Sequence, residues 1–396
     1  MPIDDLLRWR EEFPILERSV YLVSHSLGAM PRRTRMRLAE YAETWATRGV
    51  RAWADEWWEM PRAVGDLIGR IIGAGPGEVV MHQNQSLAQA TVLSALDWPR
   101  GRNQIVTEQL NFPSNLYLFH ALEREGAAVT TVGSDDGLTI PTARILAAID
   151  ERTRLVSVSH VLYKSAFLQD LAAICRRAHD VGALVLVDLY QSAGTIPVDV
   201  RALGIDFATG GSVKWLCGGP GAGYLYVRRE HWQTLEPRLT GWMAHRAPFA
   251  FEDHPIAYAD DAYRFLNGTP GIPALYAARS GYEIVAEIGV AAIRDKSMRQ
   301  TQRLVALADA AGVPVAGPRD AEERGGTVTL AVADGAAVTQ ALAAREVLVD
   351  HRPGAGVRIS PHFYTTDEEL DTFFEELARA IAAGRHGPPV AGVGTY

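Results

Sequence analysis

Three lysines, Lys164, Lys214 and Lys296, stand beside 36 arginines in a chain of 396 residues. Chemistry that needs a side-chain primary amine therefore has three candidates. Lys214 follows Gly210, Gly211, Ser212 and Val213 and precedes the turn Gly218 to Gly221. Upstream, Ala183 to Val187 is a Val- and Leu-rich run of strand length, and it delivers Asp188 at its carboxyl end. Open α/β sheets bind ligands beyond that edge. An amine to hold an aldehyde and a carboxylate to keep a pyridine nitrogen protonated are what pyridoxal phosphate needs to act as an electron sink. Each residue alone also has an ordinary role. A strand-end aspartate caps helices and forms turns. A lysine in a glycine-rich loop can meet phosphate, although the Gly-Lys-Ser/Thr of a Walker loop is absent. Lys296, among Arg294, Asp295 and Arg299, is expected on a solvated helix face. Position alone does not dismiss Lys164.

A cofactor phosphate needs its own site. Val79 to Met81 reads as a strand, followed by Asn84, Gln85 and Ser86 and a helix from Leu87 to Leu96. Amides and a hydroxyl at a helix N-terminus make an anion site, and a serine there is also a common N-cap.

The elements that position these residues alternate. Strands are expected at Ile105 to Glu108, Ala128 to Val132, Leu155 to Ser159, Ala183 to Asp188, Asp206 to Ala208 and Tyr224 to Val227. Helices are expected at Leu116 to Arg124, Thr142 to Asp150 and Asp170 to Val181. Such alternation predicts a mostly parallel sheet with helices on both faces. Beyond Gly268-Thr269-Pro270, Ala274 to Gln302 reads as one helical stretch. A small α/β unit follows: strand Val328 to Val332, helix Ala336 to Arg345, strand Val357 to Ser360 and helix Asp367 to Ala383. The expected division is a large cofactor-binding domain at 32–270 and a small domain combining 1–31 with 271–396. A loose tail is expected from Gly387.

The composition is ordinary for a globular chain, 47% hydrophobic and 22% charged. A net charge of -8 argues against a nucleic-acid groove. Two cysteines, Cys175 and Cys217, fit a reduced cytoplasm. No signal peptide and no membrane helix is expected. No histidine or cysteine cluster has metal-ligand spacing, so no metal is expected. Trp53, Trp57 and Trp58 sit at near-helical spacing, which favours core packing over an aromatic substrate pocket.

Several pieces, in order, carry a resemblance. They are Tyr21-Leu22 with Ser26-Leu27-Gly28 and Pro31; Gly77 to Val80; Asn111 to Tyr117; His160-Val161 with Tyr163; Asp188-Leu189 with Ser192-Ala193-Gly194 and Pro197-Val198-Asp199; Lys214 with Gly218 to Gly221; Gly241-Trp242 with His245; and Phe265 with Gly268-Thr269-Pro270. Over most of its length the sequence resembles the class V aminotransferase family of fold type I pyridoxal-phosphate enzymes, and within it the kynureninases. The resemblance implies an α/β fold with a large, mostly parallel domain and a smaller C-terminal α/β domain. It implies that Lys214 carries the cofactor aldehyde, Asp188 holds the pyridine nitrogen and Phe112 stacks on the ring. Gln85 and Ser86 would hold the phosphate, with Gln191 and Ser212 also on the cofactor. Trp242 and Thr269 match positions that reach the partner subunit's cofactor phosphate, which implies a homodimer with composite active sites. Arg358 matches the arginine that grips the substrate α-carboxylate, a task suited to its planar fork. His25 and Ser26 would line the substrate.

Five positions depart from that pattern. Kynureninases carry His at Gln191, Tyr at Val213, Asp at Asn115, Arg at Lys164 and Asn at His25. The expected activity is hydrolysis of a side-chain carbon-carbon bond in an α-amino acid, releasing alanine. The departures keep β-elimination, epimerisation and transamination in view. Desulfuration through a persulfide is disfavoured, because the loop Asp350 to Gly356 lacks the cysteine that desulfurases of this class place there.

Overall fold

The computed structural model describes residues 4–384, so the tail expected from Gly387 lies outside the described residues. A two-residue strand β1 (Val20–Tyr21) opens the chain. The main sheet then takes β2 (Val79–His82), β3 (Gln104–Glu108), β4 (Ala128–Val132), β5 (Thr153–Ser159), β6 (Leu184–Asp188), β7 (Phe207–Gly211) and β8 (Gly223–Val227). Their order is β2-β8-β7-β6-β5-β3-β4. Neighbours from β7 to β4 run parallel, and β8 runs antiparallel to β7 and β2. Strands β2, β3, β7 and β8 are buried at every residue. Helices cover both faces, which suits the apolar runs in β2, β6 and β8. Strand β4 closes an edge and is half exposed, and its Thr130 and Thr131 show it in the sequence.

Helices Pro113–Ala121, Thr142–Ala148 and Leu171–Asp180 make the crossovers. Asp170 starts the last of these by accepting the Ala173 amide at 2.9 Å. Parallel connections bring β3, β5, β6 and β7 to the same edge with their carboxyl ends, where Asp188 and the loop to Lys214 emerge.

Past residue 270 a second sheet forms from β9 (Val328–Leu330), β11 (Asp350–Arg352) and β12 (Gly356–Ile359), antiparallel in the order β11-β12-β9. Strand β10 (Val347–Leu348) pairs in parallel with β1. The N-terminal arm thereby crosses to the C-terminal sheet, and Val23 bridges Ser360.

Two expectations need correction. The stretch from Ala274 to Gln302 is two helices, Ile272–Ile288 and Val290–Ala310, broken at Gly289. Gly289 has φ +85, which a residue with a side chain rarely adopts. Lys296 is buried rather than solvated: its Nζ donates to the Phe363 carbonyl at 2.7 Å and pairs with Asp4 at 2.8 Å. The local charges pointed outward, whereas the acceptors come from both ends of the chain. Among the tryptophans, Trp57 is buried against Tyr41 and Trp53, as core packing predicts. No helix of the described residues is long and apolar enough to cross a membrane. No group of three or more His, Cys, Asp or Glu is placed to hold a metal ion among them.

Candidate active site

Asp188 is the last residue of β6, and its carboxylate is held from both sides. The Tyr190 amide donates to Oδ1 at 2.8 Å and Asn115 Nδ2 to Oδ2 at 2.9 Å. Asn115 also donates to Asn111 Oδ1 at 2.8 Å, and Ser159 Oγ donates to the same oxygen at 2.9 Å. This amide relay fixes the carboxylate without adding a second negative charge.

Lys214 lies beyond β7. Gly28, on the N-terminal arm, donates its amide to the Val213 carbonyl at 2.6 Å. A Cβ on Gly28 would sit 2.1 Å from the Lys214 carbonyl oxygen, so only glycine permits this approach. The Lys214 amine faces the ring of Tyr190 at 4.4 Å and that of Phe112 at 5.8 Å. It opens onto a cavity of about 180 Å³ lined by Gln85, Phe112, Ser159, Val161, Tyr163, Asp188, Tyr190 and Gln191. Burial pushes the amine down to about 8; Asp188 opposes that fall, and Arg358 and Arg352 add to it. At pH 8 about half of this amine is neutral, against roughly 0.3% of an ordinary lysine. Carbamylation of the cofactor-free protein with cyanate at pH 8 is therefore expected to modify Lys214 before Lys164 and Lys296. Peptide mass spectrometry reads the order, and modification of Lys164 first would contradict it.

The other sequence candidates divide. Gln85 opens the helix Gln85–Ser94, buried on the cavity wall, with Ser86 next to it. Phe112 precedes the helix Pro113–Ala121 and meets Tyr163 edge-on at 5.3 Å. Gln191 reaches the cavity with both polar ends engaged, Nε2 donating to the His25 carbonyl at 3.1 Å and Oε1 accepting from Trp215 at 3.0 Å. Ser212 is fully buried, donating to the Ala222 carbonyl and hydrogen-bonded to Tyr282. Trp242 and Thr269 are exposed and do not line the Lys214 cavity. Trp242 packs instead among Trp58, Phe249 and Phe251.

Arg358 is almost fully buried, and its fork is filled from inside. Nε and Nη2 donate to Asp350 at 2.8 and 2.6 Å, and Nη1 donates to the Tyr163 carbonyl at 2.6 Å. His25 lies 2.8 Å from Asp350 through Nε2 and 2.5 Å from Ser360 Oγ through Nδ1. Burial, then the Arg358 charge, push His25 down to about 4. The neutral ring therefore donates from Nε2 and accepts at Nδ1. Burial alone would raise the Asp350 carboxyl, but His25 and Arg358 hold it far below the carboxylate range. Arg352 Nη2 meets Ser26 Oγ at 3.4 Å.

Sequence reasoning missed Tyr190, Ser159 and Asp350. Tyr190 was within reach, since it lies two residues past Asp188. Asp350 gave only a hint, eight residues before Arg358 on what proves to be a hairpin.

Glu108, at the carboxyl end of β3, is fully buried behind this site. Its Oε1 accepts the Ser159 amide at 2.8 Å, while Oε2 has no partner among the described residues. Burial raises its carboxyl to about 8; the Ser159 amide opposes the rise and the Asp188 charge adds to it. A folded pKa above the unfolded value gives stability that is complete below about 4.5 and lost as pH climbs towards 8. Glu108→Gln is expected to stabilise the fold by about 1–3 kcal/mol at pH 7.5, with the gain vanishing near pH 4. Urea denaturation at both pH values measures it, and a gain independent of pH would contradict it.

An amine with no acceptor in hydrogen-bonding range among the described residues, facing a cavity walled by a fixed carboxylate and an aromatic ring, fits pyridoxal phosphate. Fold and site together define a fold type I pyridoxal-phosphate enzyme. The chain belongs to the class V aminotransferase family, whose profile matches residues 20–373. It is 33% identical to the kynureninase of Burkholderia pseudomallei strain 1106a over 364 residues, 88% of this chain and 86% of that one. It is also 33% identical to the kynureninase of Pseudomonas fluorescens over 383 residues, 93% and 90% of the two chains. Among solved structures, the apo cysteine desulfurase of Thermococcus onnurineus NA1 superposes with a TM-score of 0.84 at 24% identity, covering 95% of this chain and 98% of that one. The cystine C-S lyase C-DES, solved with cysteine persulfide, also gives 0.84, at 21% identity and 92% and 99% coverage. At those identities the two structures speak for the fold.

Proposed function

We propose that this enzyme hydrolyses a side-chain carbon-carbon bond of an α-amino acid in the manner of a kynureninase, releasing alanine. The observation that carries this reading is the 33% identity to kynureninases across nine-tenths of the chain. Pyridoxal phosphate supplies an electron sink for negative charge left at the substrate α-carbon. The chain's own residues do the rest. Asp188, fixed by Asn115 and the Tyr190 amide, holds the pyridine nitrogen. Gln85 and Ser86 offer the helix N-terminus to the phosphate, joined by Trp242 and Thr269 of a second copy in a homodimer; their exposure supports that arrangement. Lys214 holds the aldehyde and, once free and neutral, takes the α-proton at Nζ. Arg358 meets the α-carboxylate, with His25 and Ser26 beside it. Phe112 and Tyr163 form part of the cavity wall. Residues 32–270 form the cofactor lobe, and 1–31 with 271–396 the other.

A second reading has specific support. Gln191 and Val213 stand where kynureninases carry His and Tyr, and Gln191 is committed to His25 and Trp215. Those changes favour β-elimination on a smaller amino acid. The test adds L-kynurenine, 3-hydroxykynurenine and L-cystine separately to the purified, cofactor-loaded enzyme. Alanine with an anthranilate-type fluorescent product is expected from the first two. Pyruvate and ammonia from cystine alone would replace the lead reading with the second.

A further inference from the structure

Asp350 is a buried carboxylate with three partners. It stands directly opposite Arg358 across the β11–β12 pair. Both oxygens engage the Arg358 fork, at 2.8 and 2.6 Å. Oδ2 also lies 3.1 Å from Arg352 Nη2, and Oδ1 2.8 Å from His25 Nε2. Asp350, Arg358 and His25 are each 3% exposed or less.

This arrangement has a geometric consequence. Three of the five Arg358 N–H groups are spent on Asp350 and the Tyr163 carbonyl, leaving one each on Nη1 and Nη2. A ligand carboxylate can meet only those, and Asp350 sets the plane in which they lie.

We propose that Asp350 is the positioning residue of the substrate-carboxylate site, holding the Arg358 fork so that its two remaining N–H groups meet one carboxylate. The inference rests on the reading that Arg358 binds the substrate α-carboxylate. It gives one arginine fork two functions: one face is spent on building the receptor and the other on using it.

The test compares L-alanine with ethylamine, which is alanine without its carboxylate. Both are titrated into the loaded enzyme by the absorbance of the cofactor. The wild type is expected to bind alanine about 100-fold more tightly. In Asp350→Asn that ratio should fall about tenfold, with ethylamine affinity within about twofold of wild type. A merely structural role would weaken both ligands together and leave the ratio unchanged, which overturns the proposal. Should Asp350→Asn fail to fold, Asp350→Asn with Arg352→Gln restores the net charge, and Arg352→Gln alone is its control. The same loss of ratio relative to that control is expected. Arg358→Met separates the layers. A ratio it leaves intact defeats the reading of Arg358 and the proposal with it. A ratio that it collapses and Asp350→Asn does not defeats the proposal alone.

Discussion

Replacing Lys214 with alanine is expected to lower turnover by at least about 10³-fold, whichever amino acid proves to be the substrate. The size of the effect follows from scarcity. Lys296 is buried and held by Phe363 and Asp4, far from the cavity. Lys164 is nearer, its Nζ 5.9 Å from the Tyr163 ring centroid. It is not among the residues that line the cavity, whereas Lys214 faces the rings of Tyr190 and Phe112. Lys164→Ala should therefore keep most of the activity that Lys214→Ala loses. Added methylamine should restore part of the Lys214→Ala activity, because the cavity remains and only the amine is missing. Undiminished turnover in Lys214→Ala would remove the catalytic assignment.

The second large effect is expected at Asp188. Asp188→Asn keeps the shape and removes the charge that faces the ring nitrogen. Loss of one preorganised electrostatic contact in a desolvated site costs on the order of 10²–10³ in turnover. The hydrogen bonds make the result specific. The Tyr190 amide and Asn115 both donate to this carboxylate, so an amide at 188 can accept through one atom only. A companion Asn115→Asp change restores a carboxylate one hydrogen bond away and should recover part of the loss. Unchanged turnover in Asp188→Asn would show that the ring nitrogen is not held here. The stopped-flow rate of product formation, with cofactor saturating, separates this effect from weakened cofactor binding.

Much of this site was legible from local sequence. Asp188 ends an apolar run, and its position follows from where a buried parallel strand must stop. Lys214 stood out by rarity. The Asn84 to Ser86 segment announced a helix start, and Asn84 does cap it, accepting the Leu87 amide at 3.0 Å. What was not legible depends on partners distant in sequence. His25 meets Asp350 and Ser360 across separations of 325 and 335 residues. No periodicity encodes such a contact. Lys296 was misread for the same reason. Its neighbours in sequence are charged, yet its neighbours in space are the Phe363 carbonyl and Asp4. The break at Gly289 was visible as a glycine, but a glycine inside a helical pattern does not reveal whether the chain bends there.

The arm that carries Leu22, His25 and Gly28 also orders events in time. Leu22 donates its amide to the Leu348 carbonyl, and its own carbonyl accepts from Ser360. Gly28 meanwhile docks on Val213, beside the lysine. These arm residues thus find their sheet only once their partners at 348 and 360 are present, and contacts of such high contact order form slowly. A nascent chain that has passed residue 270 holds the lysine, the aspartate and the residues that line the cavity, but lacks Asp350 and Arg358. The cofactor side of the site is thereby made before the Asp350–Arg358 pair, and a chain that stops short of that pair carries the reactive amine without it.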